Sequence, residues 1–322
     1  MLPYRIDKKL TDVLAPAGGR SRFTLSAEVI PPRNGSEQRV VMEQVGGLIG
    51  AGAEFLSVTK GAGGSLRGGS LPIAQAVKER FNRPCIAHFT CRDLNAAEVE
   101  NLLMDHHYFG IRNILALRGD PPDGQTQWTA REGGHQYAYQ LIEQIQALNQ
   151  GHYLVRSGGP VAQGETEKTD FCIGAAVYPD HPVESERVEF FRKKVEAGAQ
   201  YGITDMIFDP EVYARFLDLC GKHGLTRIPV LPGTRILKTQ AQAKRMADKF
   251  KVTVPSTLMS RLAETDSPDA LARGVDLFVE GVEKLKSYGA PGIHLYVIVD
   301  QIAAIEALAR LRSLGYGDTV TE

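Results

Sequence analysis

The chain has no run of about 18 apolar residues, which excludes a transmembrane helix by the usual length criterion. Its first twenty residues, MLPYRIDKKLTDVLAPAGGR, lack the apolar stretch of a secretory signal. It has little cysteine: Cys85, Cys91, Cys172 and Cys220, with no C-x-x-C pair among them. A cysteine-built zinc or iron–sulfur cage is therefore not expected, and reduced, buried thiols in a cytoplasmic protein are. No H-E-x-x-H or carboxylate–histidine pattern points to a metal. Charge of one sign is also missing. Lys plus Arg number 37 against 38 Asp plus Glu, a net charge of −1. That balance argues against a nucleic acid or a membrane surface as the main partner, while leaving room for a local basic patch around a small anionic ligand.

What is present is alternation. Short apolar, β-rich runs occur at 23–30, 55–60, 85–91, 113–119, 170–178, 205–209, 228–233 and 292–299. Several are continuously apolar, as strands buried on both faces are. Between them lie amphipathic stretches such as 37–52, 95–110, 135–150, 184–200, 210–224 and 300–314, with apolar residues at helical spacing. Strand–helix alternation favours a parallel sheet. Eight such units in 322 residues favour a closed (β/α)8 TIM barrel, a single domain over 1–322, although length alone would suggest two. No G-x-G-x-x-G follows the first strand, which weakens a dinucleotide-binding open sheet. Residues 151–169 read as a long polar loop. Residues 240–288 are too long for one helix and break at Pro255 and at Ser267-Pro268, giving two or three extra helices before the last strand.

Catalytic groups of such barrels sit at the C-terminal ends of strands and on the following loops. Glu28 lies inside an apolar strand. Desolvation would raise its pKa and suit it to acid–base work, whereas the structural alternative is a carboxylate paired with Arg33. Thr59 leads into Lys60 and a loop containing Gly61, Gly63, Gly64 and Arg67, either an anion or ring cradle or a plain connection. His88 is a lone histidine in an apolar strand, equally a core residue or a ligand contact. Arg118-Gly119-Asp120 before two prolines forms a rigid loop that could place Asp120 at the mouth, or is simple turn chemistry. Arg192, Lys193 and Lys194 form a basic run, ordinarily a solvated face, from which one lysine could reach a phosphate. The pair His106-His107 falls on a helix and reads as structural or surface.

Taken in order, SAEVIPPR (26–33), LSVTKGAGGS (56–65), AHFTC (87–91), NILALRGDPP (113–122), QYAYQLI (136–142), FCIGAAVYP (171–179), RKKVEAGAQYGIT (192–204) and IPVLPG (228–233) resemble the methylenetetrahydrofolate reductase family over almost the whole chain. The resemblance implies an eight-stranded barrel with non-covalently bound FAD. It implies hydride transfer from NADH or NADPH to 5,10-methylenetetrahydrofolate, by ping-pong kinetics, in one-carbon and methionine metabolism. It implies Glu28 as the general acid and Asp120 as the carboxylate that tunes the flavin and positions folate. Thr59, His88, Arg118, Gly119, Asp120, Tyr137, Ala138, Tyr178, His181 and Lys194 match flavin-contact positions. Three positions depart from the family pattern: Asp205 stands where a pterin-binding glutamine is common, Gln240 near a stacking aromatic, and Asp300 near an arginine. Glu28, Asp120, Asp205 and Gln240 are thus the expected substrate contacts. Arg187 and Phe190 replace polar residues near the adenosine end. These departures leave open a variant that uses a modified pterin, another electron donor or a partner subunit, besides a homo-oligomer. A non-catalytic barrel that keeps only the fold is the alternative of a different class.

Overall fold

The structure is a computed structural model, and it describes residues 4–15, 22–32, 35–61, 68–121, 128–155, 167–298 and 301–317. Eight parallel strands close into a barrel in sequence order. They are β1 (Thr24–Val29), β2 (Phe55–Val58), β3 (Cys85–Thr90), β4 (Asn113–Leu117), β5 (Cys172–Val177), β6 (Tyr201–Met206), β7 (Val230–Thr234) and β8 (Gly292–Tyr296). The ring closes through β1 and β8, with Ser26 opposite His294 and Glu28 opposite Tyr296. The outer helices are α2 (Gln38–Gly50), α3 (Ser70–Phe81), α4 (Ala96–Tyr108), α5 (Ala138–Asn149), α6 (Glu184–Glu196), α7 (Pro210–Lys222) and α11 (Gln301–Ser313), joined by the inserted α8 (Gln240–Phe250), α9 (Ser256–Met259) and α10 (Pro268–Ser287).

Strand alternation divides the apolar residues into two sets. Leu25, Ala27 and Val29 of β1 face outward and join the core between sheet and helices. Phe55, Ile86, Leu115, Cys172, Tyr201, Ile203 and Leu231 face inward and fill the barrel. A short helix, α1 (Leu10–Leu14), closes the N-terminal end and adds Leu10, Val13 and Leu14 to that inner cluster. Its Leu10 N–H donates to Asn113 Oδ1 at 2.7 Å. This plug was not expected from the sequence, because five residues carry too little periodicity to read.

The three-helix insertion follows the expected breaks. Pro255 precedes α9, and Ser267 caps α10 by accepting from the Ala270 N–H, with Pro268 in the first turn. One strand assignment needs correction. The sixth strand is Tyr201–Met206, not 205–209. Gly202 makes its start look like a loop, yet glycine is required there, since a Cβ would meet Val177 Cγ2 at 2.8 Å. The last strand also ends earlier, at Tyr296. All four cysteines are free and buried, as expected. Among the described residues no helix is long and apolar enough to cross a membrane.

Candidate active site

The inward-facing residues change from apolar to polar on passing up the barrel. In the middle, the His294 ring is fixed between two serines, Nδ1 at 2.8 Å from Ser26 Oγ and Nε2 at 2.9 Å from Ser57 Oγ. Ser26 donates its own proton to the Ile293 carbonyl at 2.7 Å, so it accepts from Nδ1–H, and Ser57 donates to Nε2. The ring is therefore neutral, and burial, followed by the nearby His88, pushes its pKa down to about 3. Phe55 stacks against it and Tyr296 meets it edge-on.

Glu28 occupies the next layer, 7% exposed. Its Oε2 lies 3.7 Å from His88 Nε2. This is a contact between two neutral groups, not an ion pair. Burial pushes Glu28 up to about 8 and His88 down to about 4, so near neutral pH neither carries charge. Glu28 is thereby held as a carboxylic acid with a proton to donate. The pairing with Arg33 considered from sequence falls outside the described residues, as do Gly63, Gly64, Ser65, Arg67, Pro122 and Asp300. Opposite Glu28 in register, Tyr296 donates to the Thr204 carbonyl at 2.6 Å. Gly233 makes room for its ring, since a Cβ there would meet the ring at 2.4 Å.

The layer opens into a cavity of about 620 Å³ at the C-terminal ends of β1 to β5. Thr59, His88, Arg118, Gly119, Asp120, Tyr137, Ala138, Tyr178, His181 and Lys194 all line it, together with Glu28. Residues drawn from seven separate stretches of sequence thus share one hollow. Two buried polar atoms on its wall, Thr59 Oγ1 and His88 Nε2, have no hydrogen-bond partner among the described residues. Burying such atoms unpaired is costly, so a polar ligand edge between them is the arrangement that satisfies both.

Gly119 is required by its backbone, with φ +95°, and by its floor, since a Cβ would lie 2.8 Å from Arg92 Cβ. Arg92 donates to the Asp120 carbonyl at 2.6 Å and so holds the Arg118–Asp120 loop from beneath. Lys194 points inward from α6, donating to the Ala176 carbonyl at 2.7 Å, with its ammonium over the Tyr178 ring. Burial, then the Arg118 charge, lowers it to about 8. Its neighbours on the basic run, Arg192 and Lys193, are engaged by Glu189 on the outer face of the same helix. The far wall is aromatic. Tyr137 stacks on Tyr139 at 5.4 Å and meets Phe190 at 6.3 Å. Arg187, also on the wall, donates to the His181 carbonyl.

Two expected substrate contacts lie off this cavity. Asp205, near the end of β6, stands beside its rim. Its carboxyl is pushed up to about 7 by burial, then by Asp180, and its Oδ1 is buried without a hydrogen-bond partner among the described residues. Gln240 begins α8 and donates its side-chain amide to the Leu262 carbonyl at 3.3 Å, tying the insertion together. His106 is buried and donates its Nδ1–H to the Leu102 carbonyl at 2.6 Å, a structural role as one of the two sequence readings had it. Arg92, Lys60 and Tyr139 belong to the wall without having been singled out as contacts. Arg92 and Lys60 had a signal, each standing two residues beyond a strand end.

Residues 13–312 match the family described as methylenetetrahydrofolate reductase. The chain belongs to the methylenetetrahydrofolate reductase family. Among its relatives, "Methylenetetrahydrofolate reductase (NADH) 1" of Zea mays is 28% identical over 94% of this chain and 50% of that protein. The chain spans about half the length of the plant relatives it matches. The 5,10-methylenetetrahydrofolate reductase of Escherichia coli is 28% identical over 87% of both chains. Among solved structures, an uncharacterized Clostridium thermocellum protein, described as binding two copies of 5-methyl-5,6,7,8-tetrahydrofolic acid, superposes with a TM-score of 0.57. It covers 91% of this chain and 97% of that one at 13% identity, a likeness of fold. Seven of the eight segments quoted above contribute residues to the cavity wall, and IPVLPG (228–233) does not. Among the described residues no cluster of three or more His, Cys, Asp or Glu could hold a metal.

Proposed function

We propose that this chain reduces 5,10-methylenetetrahydrofolate to 5-methyltetrahydrofolate with NADH or NADPH as donor and FAD as bound cofactor. The observation that carries the reading is Glu28, an uncharged carboxylic acid at the floor of a cavity built from the family's own segments. FAD, when bound, supplies the hydride relay between donor and folate. The cavity wall fits such a group. Thr59 Oγ1 and His88 Nε2 offer unpaired polar atoms to a heteroaromatic edge. Arg118 and Lys194 offer positive charge to a pyrophosphate, and Tyr137 with Phe190 offers an apolar shelf to a base. Asp120, on the same wall, would be the carboxylate that tunes the electronics of the bound ring.

Glu28 donates its proton to the bridging nitrogen of the folate. That opens the methylene bridge to an iminium, whose carbon then accepts the hydride to become the methyl group. Burial keeps the proton on Glu28 until a basic nitrogen arrives. His88 at 3.7 Å is too weakly basic to remove it. Asp205, beside the rim, is the residue offered to the pterin. Donor and folate take turns in one cavity, which gives ping-pong kinetics.

The visible spectrum of the purified protein is the first test. A yellow protein, or a colourless one that becomes yellow on adding FAD, supports the reading. Bleaching by NADH or NADPH and recovery on adding methylenetetrahydrofolate tests the two half-reactions separately and reports the preferred donor. Failure to bind FAD refutes the cofactor assignment. Bleaching without recovery by this folate favours the second reading, a modified pterin, which Asp205 and the displaced Gln240 motivate.

A further inference from the structure

The opposite, N-terminal end of the barrel holds a second cavity, of about 410 Å³, that the proposed reaction does not use. It lies among the N-terminal arm, the C-terminal ends of α2, α3 and α11, and the approach to β2 and β3. Six cationic side chains line it (Arg5, Lys8, Arg22, Lys78, Arg83 and Arg312), against the carboxylates of Asp7 and Glu54.

Several of these charges already have structural work. Lys78 and Arg312 sit in the last turns of α3 and α11, where a cation offsets the helix dipole. Lys78 also donates to the Arg5 carbonyl and to Glu79. Arg5 donates to Asn82, and Arg22 pairs with Glu54. Lys8 and Arg83 are left over. The Arg83 Nε is buried with no partner, and no hydrogen bond or ion pair engages the Lys8 ammonium among the described residues. The carboxylates do not answer them. Asp7 is turned into the barrel, accepting from the Cys85 N–H at 3.2 Å and the Asn113 amide at 3.0 Å. Glu54 is taken by Arg22 and by the Leu25 N–H at 3.0 Å. Arg312 is laid along the cavity wall, its stem packed on Gly52, where a Cβ would lie 3.3 Å from its Cδ, and one guanidinium N–H, on Nη1, donates to the Gly50 carbonyl at 3.3 Å while leaving the others to a ligand.

We propose that this cavity binds a compact anion carrying two or more phosphate or carboxylate groups, held by Lys8, Arg83 and Arg312. The site stands apart from the barrel mouth, so it does not depend on the reaction proposed above. Titration calorimetry in low-salt buffer, with inorganic pyrophosphate and separately with citrate as probes, tests it. The expected result, for at least one probe, is a saturable site that persists in Arg118→Ala, the variant that removes a mouth cation offered to a pyrophosphate above; the preferred probe tells phosphate from carboxylate. Lys8→Ala and Arg83→Gln should each weaken it by about ten-fold, the loss of one charge-assisted hydrogen bond. Arg118→Ala, at the other end of the barrel, should leave it unchanged. Lys8 is exposed on a non-helical arm, so its variant tests the proposal even if Arg83→Gln fails to fold. No saturable binding of either probe, binding indifferent to Lys8→Ala, or binding lost only in Arg118→Ala would overturn it.

Discussion

Replacing Glu28 by glutamine should change the pH dependence of stability in a calculable way. In the folded protein burial pushes this carboxyl from 4.5 to about 8. An acid whose pKa is raised by folding stabilises the fold while it is protonated in both states, below about pH 4.5. Above that the unfolded chain ionises and the folded one does not, so stability falls by up to about 1.4 kcal/mol per pH unit. The loss levels off once the pH passes about 8, where the folded form ionises too. Between about pH 5 and pH 8.5 the Glu28 contribution to instability is on the order of 4 kcal/mol. Glutamine has nearly the same shape and no ionisation. The variant should match the wild type within about 1 kcal/mol near pH 5, where both carry a neutral polar group. It should be more stable by several kcal/mol near pH 8.5. The assay is urea unfolding of both proteins at a series of pH values, reading the difference between them. The difference cancels the other groups that titrate in this range, Asp7 and Asp205 at about 7 and Lys60 and Lys194 at about 8. A difference that does not vary with pH would refute the reasoning, because it would mean that Glu28 is ionised or exposed in the folded protein. In turnover, the same variant should keep donor-driven bleaching of the bound flavin and lose folate reduction. Undiminished folate turnover would remove Glu28 from the acid role.

Other consequences follow from the packing and the cavity wall. Leu10→Ala empties a fully buried position in the plug and should cost about 2–5 kcal/mol in urea unfolding. A change below about 1 kcal/mol would show that α1 does not close the barrel. Gly174→Ala places a methyl 2.3 Å from the Tyr201 ring and should destabilise by about 1–3 kcal/mol, with Tyr201→Leu restoring part of it. If the second change adds a further loss, the clash is not the cause. Lys194→Met should weaken FAD binding by about ten-fold, read by flavin fluorescence. In the wild type FAD affinity should fall as pH rises through about 8, where Lys194 loses its charge, and this step should be absent from the variant.

The sequence by itself determined the architecture and the ring of residues at its mouth. Eight apolar runs separated by helical patterns leave little besides a closed barrel, and strand alternation decides inside from outside without tertiary information. Glu28, Thr59, His88 and Asp120 were legible because each is a polar residue at or near the end of an otherwise apolar strand. Four things were decided only in three dimensions. The sixth strand starts at Tyr201, because Gly202 is demanded by Val177 on the neighbouring strand rather than by a turn. The plug α1 is a helix because the open barrel end buries Leu10, Val13 and Leu14, not because five residues favour it. Gln240 is drawn away from the cavity by the packing of the insertion. The protonation of Glu28 is the clearest case. Its position in sequence marks a carboxyl in apolar company, but its burial with no cationic partner among the described residues is a property of the whole barrel, and that burial is what keeps the proton in place.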